Sequence, residues 1–216
     1  MCIGVFGNKV GMTQIVKKNG LVFPVTVLKI KPAIITQLKT KQIDGYTAIQ
    51  LGHSNSLKRK NTKINKAELG HLIKKNLPLC FSLSEYRTLS VEQYKIGQRI
   101  DTNLFNIGQL VKVTSKSIGK GFSGNQKRHQ FKRGPMTHGS KNHRSPGSIG
   151  PGTTPGRVFP GKRMSGHLGA ANTSISNLEI LGIEHLNNLL ILKGNTPGKS
   201  GTLVKIFSLK QTKNSL

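Results

Sequence analysis

Between Asp101 and Glu179 the chain carries no acidic side chain, yet it carries twelve cationic ones: Lys112, Lys116, Lys120, Lys127, Arg128, Lys132, Arg133, Lys141, Arg144, Arg157, Lys162 and Arg163. Such a stretch cannot neutralise itself, and it has few apolar groups to bury. It is also heavily punctuated. Within 115–169 glycine stands at 119, 121, 124, 134, 139, 147, 150, 152, 156, 161, 166 and 169, and proline at 135, 146, 151, 155 and 160. Glycine raises the entropy lost on ordering, and proline removes a backbone donor, so few helices or strands are expected here. A structureless loop this long is unusual inside a compact domain. It implies order supplied from outside, by a polyanion.

The whole chain leans the same way. Its 216 residues hold 34 Lys and Arg against 7 Asp and Glu, a formal net charge of +27. Self-repulsion at that imbalance opposes compaction unless counter-charge arrives. Hydrophobic residues make up 35%, so part of the chain is not conventional core. Nucleic acid fits as the partner better than an anionic membrane, because no long basic amphipathic helix is evident. No run of about 18 apolar residues suggests a membrane span. The opening Met1-Cys2-Ile3-Gly4-Val5-Phe6-Gly7 does not read as a signal peptide. Cys2 and Cys80 form no CxxC pair and have no His at zinc spacing. They read as small apolar residues in a reducing compartment, with no metal or cofactor implied.

Outside the long segment the pattern is of short strands. Met12–Val16 and Phe23–Ile30 flank a turn at Asn19-Gly20, which suggests a hairpin. Ile34–Leu38 and Tyr46–Leu51 flank Asp44-Gly45, a second turn signal. Residues 57–77 are Lys-rich, with Ala67, Leu69, Leu72 and Ile73 at helical spacing, and read as a basic helical insertion. Cys80–Arg87, Leu110–Thr114, Leu178–Ile183, Leu189–Lys193 and Leu203–Phe207 continue the strand pattern. Many short strands on both sides of one insertion suggest a mainly β chain closed into a β-barrel, since closure removes exposed edges. The expected division is 1–114 as the first part of the barrel domain, 115–169 as an extended RNA-penetrating loop, and 170–216 as the rest of the barrel. The loop would leave and re-enter at neighbouring strands.

The loop's composition suits folded RNA. Glycine lets backbone N–H groups approach phosphates. Lysine and arginine neutralise them, and arginine also stacks and forks onto phosphate oxygens. The candidate RNA-binding residues are Lys116, Lys120, Lys127, Arg128, Lys132, Arg133, Lys141, Arg144, Arg157, Lys162 and Arg163, with His129, His138, His143 and His167 as planar donors. Phe122, Phe131 and Phe159 are spaced as wedges or stacking platforms would be. An excursion of about 25 residues each way spans at most roughly 80 Å, more than a duplex width. That suits a finger threaded through a large RNA. A disordered basic tail is the blander alternative, but tails are usually terminal, and this segment is internal and Gly/Pro-patterned.

Catalysis has little support. His138 and His143 have no acidic residue nearby to orient them, and Ser145 and Ser148 lack a third member. A metal site would lack carboxylates, and nothing points to a small-molecule substrate. Gly119–Gly124 contains GxGxxG, but no helix is expected after it, which argues against a dinucleotide site.

Several motifs, in order along most of the chain, give a specific resemblance. They are Gly4-Val5-Phe6-Gly7-Asn8-Lys9-Val10-Gly11-Met12-Thr13, then Ser117–Gly124 through Lys127-Arg128-His129, then Gly134–Ser140 and His143–Gly150. Thr154–Val158, Gly161–His167, Asn188–Gly194 and Pro197-Gly198 complete the set. Together they resemble the universal ribosomal large-subunit protein three family, of bacterial or plastid type. The resemblance implies a translation-protein-type β-barrel and an extension running into large-subunit ribosomal RNA toward the peptidyl-transferase centre. It also implies an early role in subunit assembly and neighbouring ribosomal proteins as partners. The extension's apex should comprise Gly147, Ser148, Ile149, Gly150, Pro151, Gly152, Thr153 and Thr154. Bacterial relatives often carry a methylatable glutamine just past the Ser-Ile-Gly, where this chain has Pro151-Gly152-Thr153-Thr154, so that modification is not carried over. Where relatives have an early tryptophan, His129 stands here.

Two other readings remain beside a structural constituent of the large subunit: a free-standing RNA chaperone or nucleic-acid-binding protein, and an RNA-processing enzyme. The missing carboxylates count against the enzyme. The resemblance of Pro151–Thr154 to cyanobacterial and plastid members, with a Lys-, Asn- and Ile-rich composition, favours a ribosome in the plastid stroma, with a bacterial cytoplasm as the alternative.

Overall fold

The described residues form twelve strands, the longer of them rich in β-branched and aliphatic residues. The computed structural model describes residues 4–53, 64–80 and 82–208. Strands β1 (Gly4–Val16) and β2 (Val22–Lys31) form the expected hairpin. Then come β3 (Ala33–Lys39), a one-turn helix α1 (Lys41–Asp44), β4 (Ala48–His53), α2 (Lys66–Ile73), β5 (Ser82–Arg87), the short β6 (Arg99–Ile100) and β7 (Leu110–Lys116). After β7 follow β8 (Gly121–Ser123), α3 (Asn125–His129) and β9 (Gly166–Leu168), and then β10 (Asn172–Glu184), β11 (Leu189–Lys193) and β12 (Leu203–Ser208). Chain contacts divide these into two units, 117–171 and the remainder.

In the larger unit six strands close on themselves in the order β1-β12-β7-β10-β11-β2. Every pairing is antiparallel. Period-2 burial shows which face is inside: Val111 and Val113 on β7, Leu190 and Leu192 on β11, and Val204 and Ile206 on β12 are all fully buried. The strands flanking the inserted unit are neighbours, and Lys116 pairs with Asn172 where the chain departs and returns.

Not all the strands enter the ring. Strands β3, β4, β5 and β6 make a separate sheet in the order β5-β4-β3-β6. The start of β1 is buried on both faces for this reason. Val5 pairs with the inward Ile206, while Phe6 stacks on His53 of β4 at 4.4 Å and meets Tyr86 of β5 edge-on at 6.1 Å. Gly4 is required by this closeness, because a Cβ there would lie 2.4 Å from the Tyr86 ring and 2.5 Å from the Ile206 carbonyl oxygen. Alternation alone shows that a strand has an apolar face, not which sheet covers it.

Other expectations shift in detail. Asp44-Gly45 caps the helix α1 rather than forming a tight turn, with Gly45 in the left-handed region at φ 78°. Strand β5 begins at Ser82, and Cys80 sits before it, buried, its thiol pKa raised by burial. β10 begins six residues before the predicted Leu178. The helix expected in 57–77 is seen as α2; residues 57–63 and Cys2 lie outside the described residues.

Two buried polar side chains fasten the larger unit. Lys9 donates to Asn195 Oδ1 at 3.1 Å and to the carbonyls of Thr196 at 2.6 Å and Gly198 at 3.2 Å. It thereby holds the β11–β12 loop to β1, and burial lowers its pKa. His53 is 1% exposed, and burial, followed by the charge on Lys31, lowers its pKa, so it sits neutral against Phe6.

Candidate nucleic-acid interface

Residues 117–171 hold their shape by backbone geometry rather than by an apolar core. Only two residues in this unit are buried, Ser123 and Asn125, and both are polar. The unit closes at its base: Ser117 N–H donates to the Ala171 carbonyl at 2.9 Å and Lys120 N–H to that of Leu168 at 2.8 Å. Beyond this, β8 and β9 pair from Gly121↔Leu168 to Ser123↔Gly166. Gly169 makes the closure possible. It sits at φ +79°, and a Cβ there would lie 2.1 Å from the Ile118 carbonyl oxygen.

The helix α3 follows directly from Gly124, contrary to the expectation that no helix follows the GxGxxG motif. It is five residues long, and the motif's central residues are themselves strand β8, so a strand-loop-helix nucleotide cradle is not formed. What α3 does is clamp the returning chain. The Arg128 guanidinium donates to the Met164 carbonyl at 2.7 Å, and His129 Nε2 donates to the same oxygen at 3.0 Å. The His129 ring also tilts against Phe131 at 6.1 Å. The His129 imidazole therefore has one edge committed within its own unit.

Further out, Gly134 N–H donates to the His143 carbonyl at 3.0 Å, and His143 Nδ1 donates to the Pro135 carbonyl at 2.8 Å. A second cross-brace results, with Ser145 hydrogen-bonded to Asn142 beside it. In the apical stretch the Ser148 hydroxyl donates to the Gly150 carbonyl at 3.0 Å and Gly156 N–H to that of Gly152 at 3.1 Å. Thr154–Pro155 is cis. The Arg157 guanidinium lies 5.7 Å from the centre of the Phe159 ring.

The sequence-predicted residues separate into two groups. Lys120, Lys127, Lys132, Arg133, His138, Lys141, Arg144, Arg157, Lys162, Arg163 and His167 are exposed, as is Lys116 at the end of β7. All eight residues from Gly147 to Thr154 are exposed as well. Arg128, His129 and His143 are half-buried and already engaged with backbone carbonyls. The ion pairs among the described residues lie elsewhere: Lys39 with Asp44 at 3.9 Å and with Glu85 at 3.3 Å, and Lys193 with Glu179 at 3.4 Å. The exposed cations of 117–171 thus face solvent without a carboxylate partner among the described residues. Sequence reasoning missed the bracing role of Arg128 and His143. Their only early signal is proximity to glycines that let strands come close.

Among the described residues no group of three or more His, Cys, Asp or Glu side chains is placed to hold a metal ion. None of the described helices is long and apolar enough to cross a membrane.

The family model for ribosomal protein L3 matches residues 39–189. The large ribosomal subunit protein uL3c of Porphyra purpurea is 53% identical over 206 residues, covering 95% of this chain and 99% of the relative. That of Phaeodactylum tricornutum is 53% identical, covering 95% and 98% respectively. The bacterial-type uL3 of Trichormus variabilis is 50% identical over 211 residues, covering 98% of this chain and 99% of its own.

Proposed function

The chain belongs to the ribosomal protein L3 family, and from that premise we propose that it binds large-subunit ribosomal RNA through residues 117–171. These run toward the peptidyl-transferase centre and help order the RNA early in subunit assembly. The family is one of structural ribosomal proteins, not of enzymes, and its plastid and bacterial members are the relatives matched here. The chain is a constituent of the large ribosomal subunit, on a ribosome of plastid type.

One observation carries the RNA reading. Residues 117–171 are a braced, coreless finger whose exposed cations have no carboxylate within the segment. Folded RNA supplies both what the finger lacks in charge and what it lacks in burial. The mechanism is neutralisation and shape-fitting. Lys and Arg meet phosphates, glycine-rich backbone follows the RNA surface, and Phe122 and Phe159, both exposed, offer ring faces for bases. Near the apex the cations thin out, so the backbone bends at Gly147, Gly152 and Gly156, all at positive φ, govern the fit there.

Sucrose-gradient sedimentation of the full chain tests the reading. The wild type should migrate with large-subunit particles, and a chain with both Arg144→Ala and Arg157→Ala should shift markedly toward the top. A wild-type pool confined to the top of the gradient would instead indicate a free-standing RNA chaperone. Full incorporation of the double variant would remove the finger's cations from the mechanism.

A further inference from the structure

The β1–β2 hairpin carries a surface unlike the rest of this basic chain. β1 pairs with β12 only from Gly4 to Asn8, then continues paired with β2 alone through Val16. The register shift between Lys9 and Gly11 marks where it parts from β12. From Gly11 to Val16 one edge of β1 therefore has no strand beside it among the described residues. Natural proteins guard such edges with charge, proline or bulges. Here Gly11-Met12-Thr13-Gln14-Ile15-Val16 contains no charge and no proline, in a chain with 34 Lys and Arg.

The register shows what that edge presents. Gln14 lies opposite Pro24, which has no N–H to give. The Pro24 carbonyl turns away from β1 and accepts from Gly194 at 2.8 Å. Gln14 and Pro24 are thus a non-hydrogen-bonded pair, and Lys17 N–H donating to Leu21 at 2.9 Å fits the same alternation. By that alternation the N–H and C=O groups of Met12, Gln14 and Val16 point outward, along the free edge. Met12, Thr13, Gln14, Val22 and Pro24 line an open depression over the same ribbon. Met12 is 50% exposed, Val16 61% and Val22 53%. The β2 edge of the same ribbon is guarded by Pro24; the β1 edge is not.

We infer that residues Gly11–Val16 are a strand-addition site for an extended segment of another protein, neutral or acidic, with apolar residues at alternate positions. Main-chain hydrogen bonds to Met12, Gln14 and Val16 fix its register, and its apolar side chains pack beside the exposed Met12 and Val16. RNA is disfavoured because Gly11–Val16 itself carries no cation to hold a phosphate, the nearest being Lys17 and Lys18 at one end. A second copy is disfavoured because two chains of +27 repel. Lys17 and Lys18, both exposed at the turn, favour an acidic residue at one end of the added strand.

The test places a photoreactive residue at positions 12, 14 and 16 in turn, in the full chain assembled into large-subunit particles. Cross-linked sites are then mapped by mass spectrometry. Strand addition requires all three to reach one segment of one neighbouring protein, with target sites advancing about two residues per step. A companion Gln14→Pro variant removes the central outward donor without breaking a bond to β2. It should lower cross-linking from position 16 about fivefold to tenfold. Cross-links to RNA, to a second copy or to other parts of this chain overturn the inference, as do targets that do not advance in step or no cross-links at all. Incorporation is read separately from sedimentation, so failure here leaves the ribosomal assignment standing.

Discussion

The ring unit and the inserted unit are ordered by opposite means. The ring unit buries eighteen residues in one contiguous core cluster, including Val5, Phe6, Leu28 and Ile206. The inserted unit buries only Ser123 and Asn125 and relies on short carbonyl braces and glycine turns. The ring unit also keeps the chain's carboxylates, while the inserted unit has none. Apolar burial works without a partner because water itself drives it. Backbone braces in exposed, like-charged chain compete with water and with self-repulsion, and gain decisively only when a polyanion excludes water and supplies counter-charge. One polypeptide therefore combines a unit built on an apolar core with a unit that has none, and in the function proposed above the second completes its order on RNA.

Amide exchange should separate the two regions most sharply. In the isolated protein the amides of Val111, Val113, Leu190 and Ile206 should exchange at least about a thousandfold more slowly than those of 131–163. Equal protection would break the comparison. Phe6→Ala should cost about 3–5 kcal/mol in chemical unfolding of the ring unit, since it empties a fully buried, stacked position. Lys9→Met should cost less, about 1–3 kcal/mol, by leaving the Asn195, Thr196 and Gly198 oxygens without their donor.

His53 gives a pH-dependent version of the same contrast. Its pKa is lowered in the folded ring unit, so the unfolded chain binds the proton more readily. Stability should therefore be level above the unfolded value of about 6.5 and fall as pH drops below it. Melting between pH 7.5 and 5 should show this decline, and His53→Phe should flatten it. The smallest effect sharpens the comparison from the other side. Arg157→Ala, exposed in the inserted unit, should change ring-unit unfolding by no more than about 0.5 kcal/mol. A larger loss would make that arginine a structural element of the protein.

Much was legible from local pattern. The β1–β2 hairpin and the alternation of β7, β11 and β12 follow from period and turn chemistry. The exposed cations of the finger were legible because charge without counter-charge has nowhere to go but solvent or a partner. The bracing roles of Arg128, His129 and His143 were not, since the same residue types in the same stretch serve equally well as RNA contacts. The unguarded edge of β1 was also hidden, because whether a strand has a second neighbour is a property of topology.

The sequence alone determined that this chain has a β-rich part able to bury itself and a Gly/Pro-rich cationic part unable to. That follows from composition and spacing, which act locally. Only the tertiary structure decided that β3 and β4 leave the ring for a second sheet, that His53 lies against Phe6, and that a single glycine at 169 closes the finger's base. Those outcomes depend on which distant segments meet. Each strand's own residues specify a face to be covered, and the sum of long-range packing selects the surface that covers it.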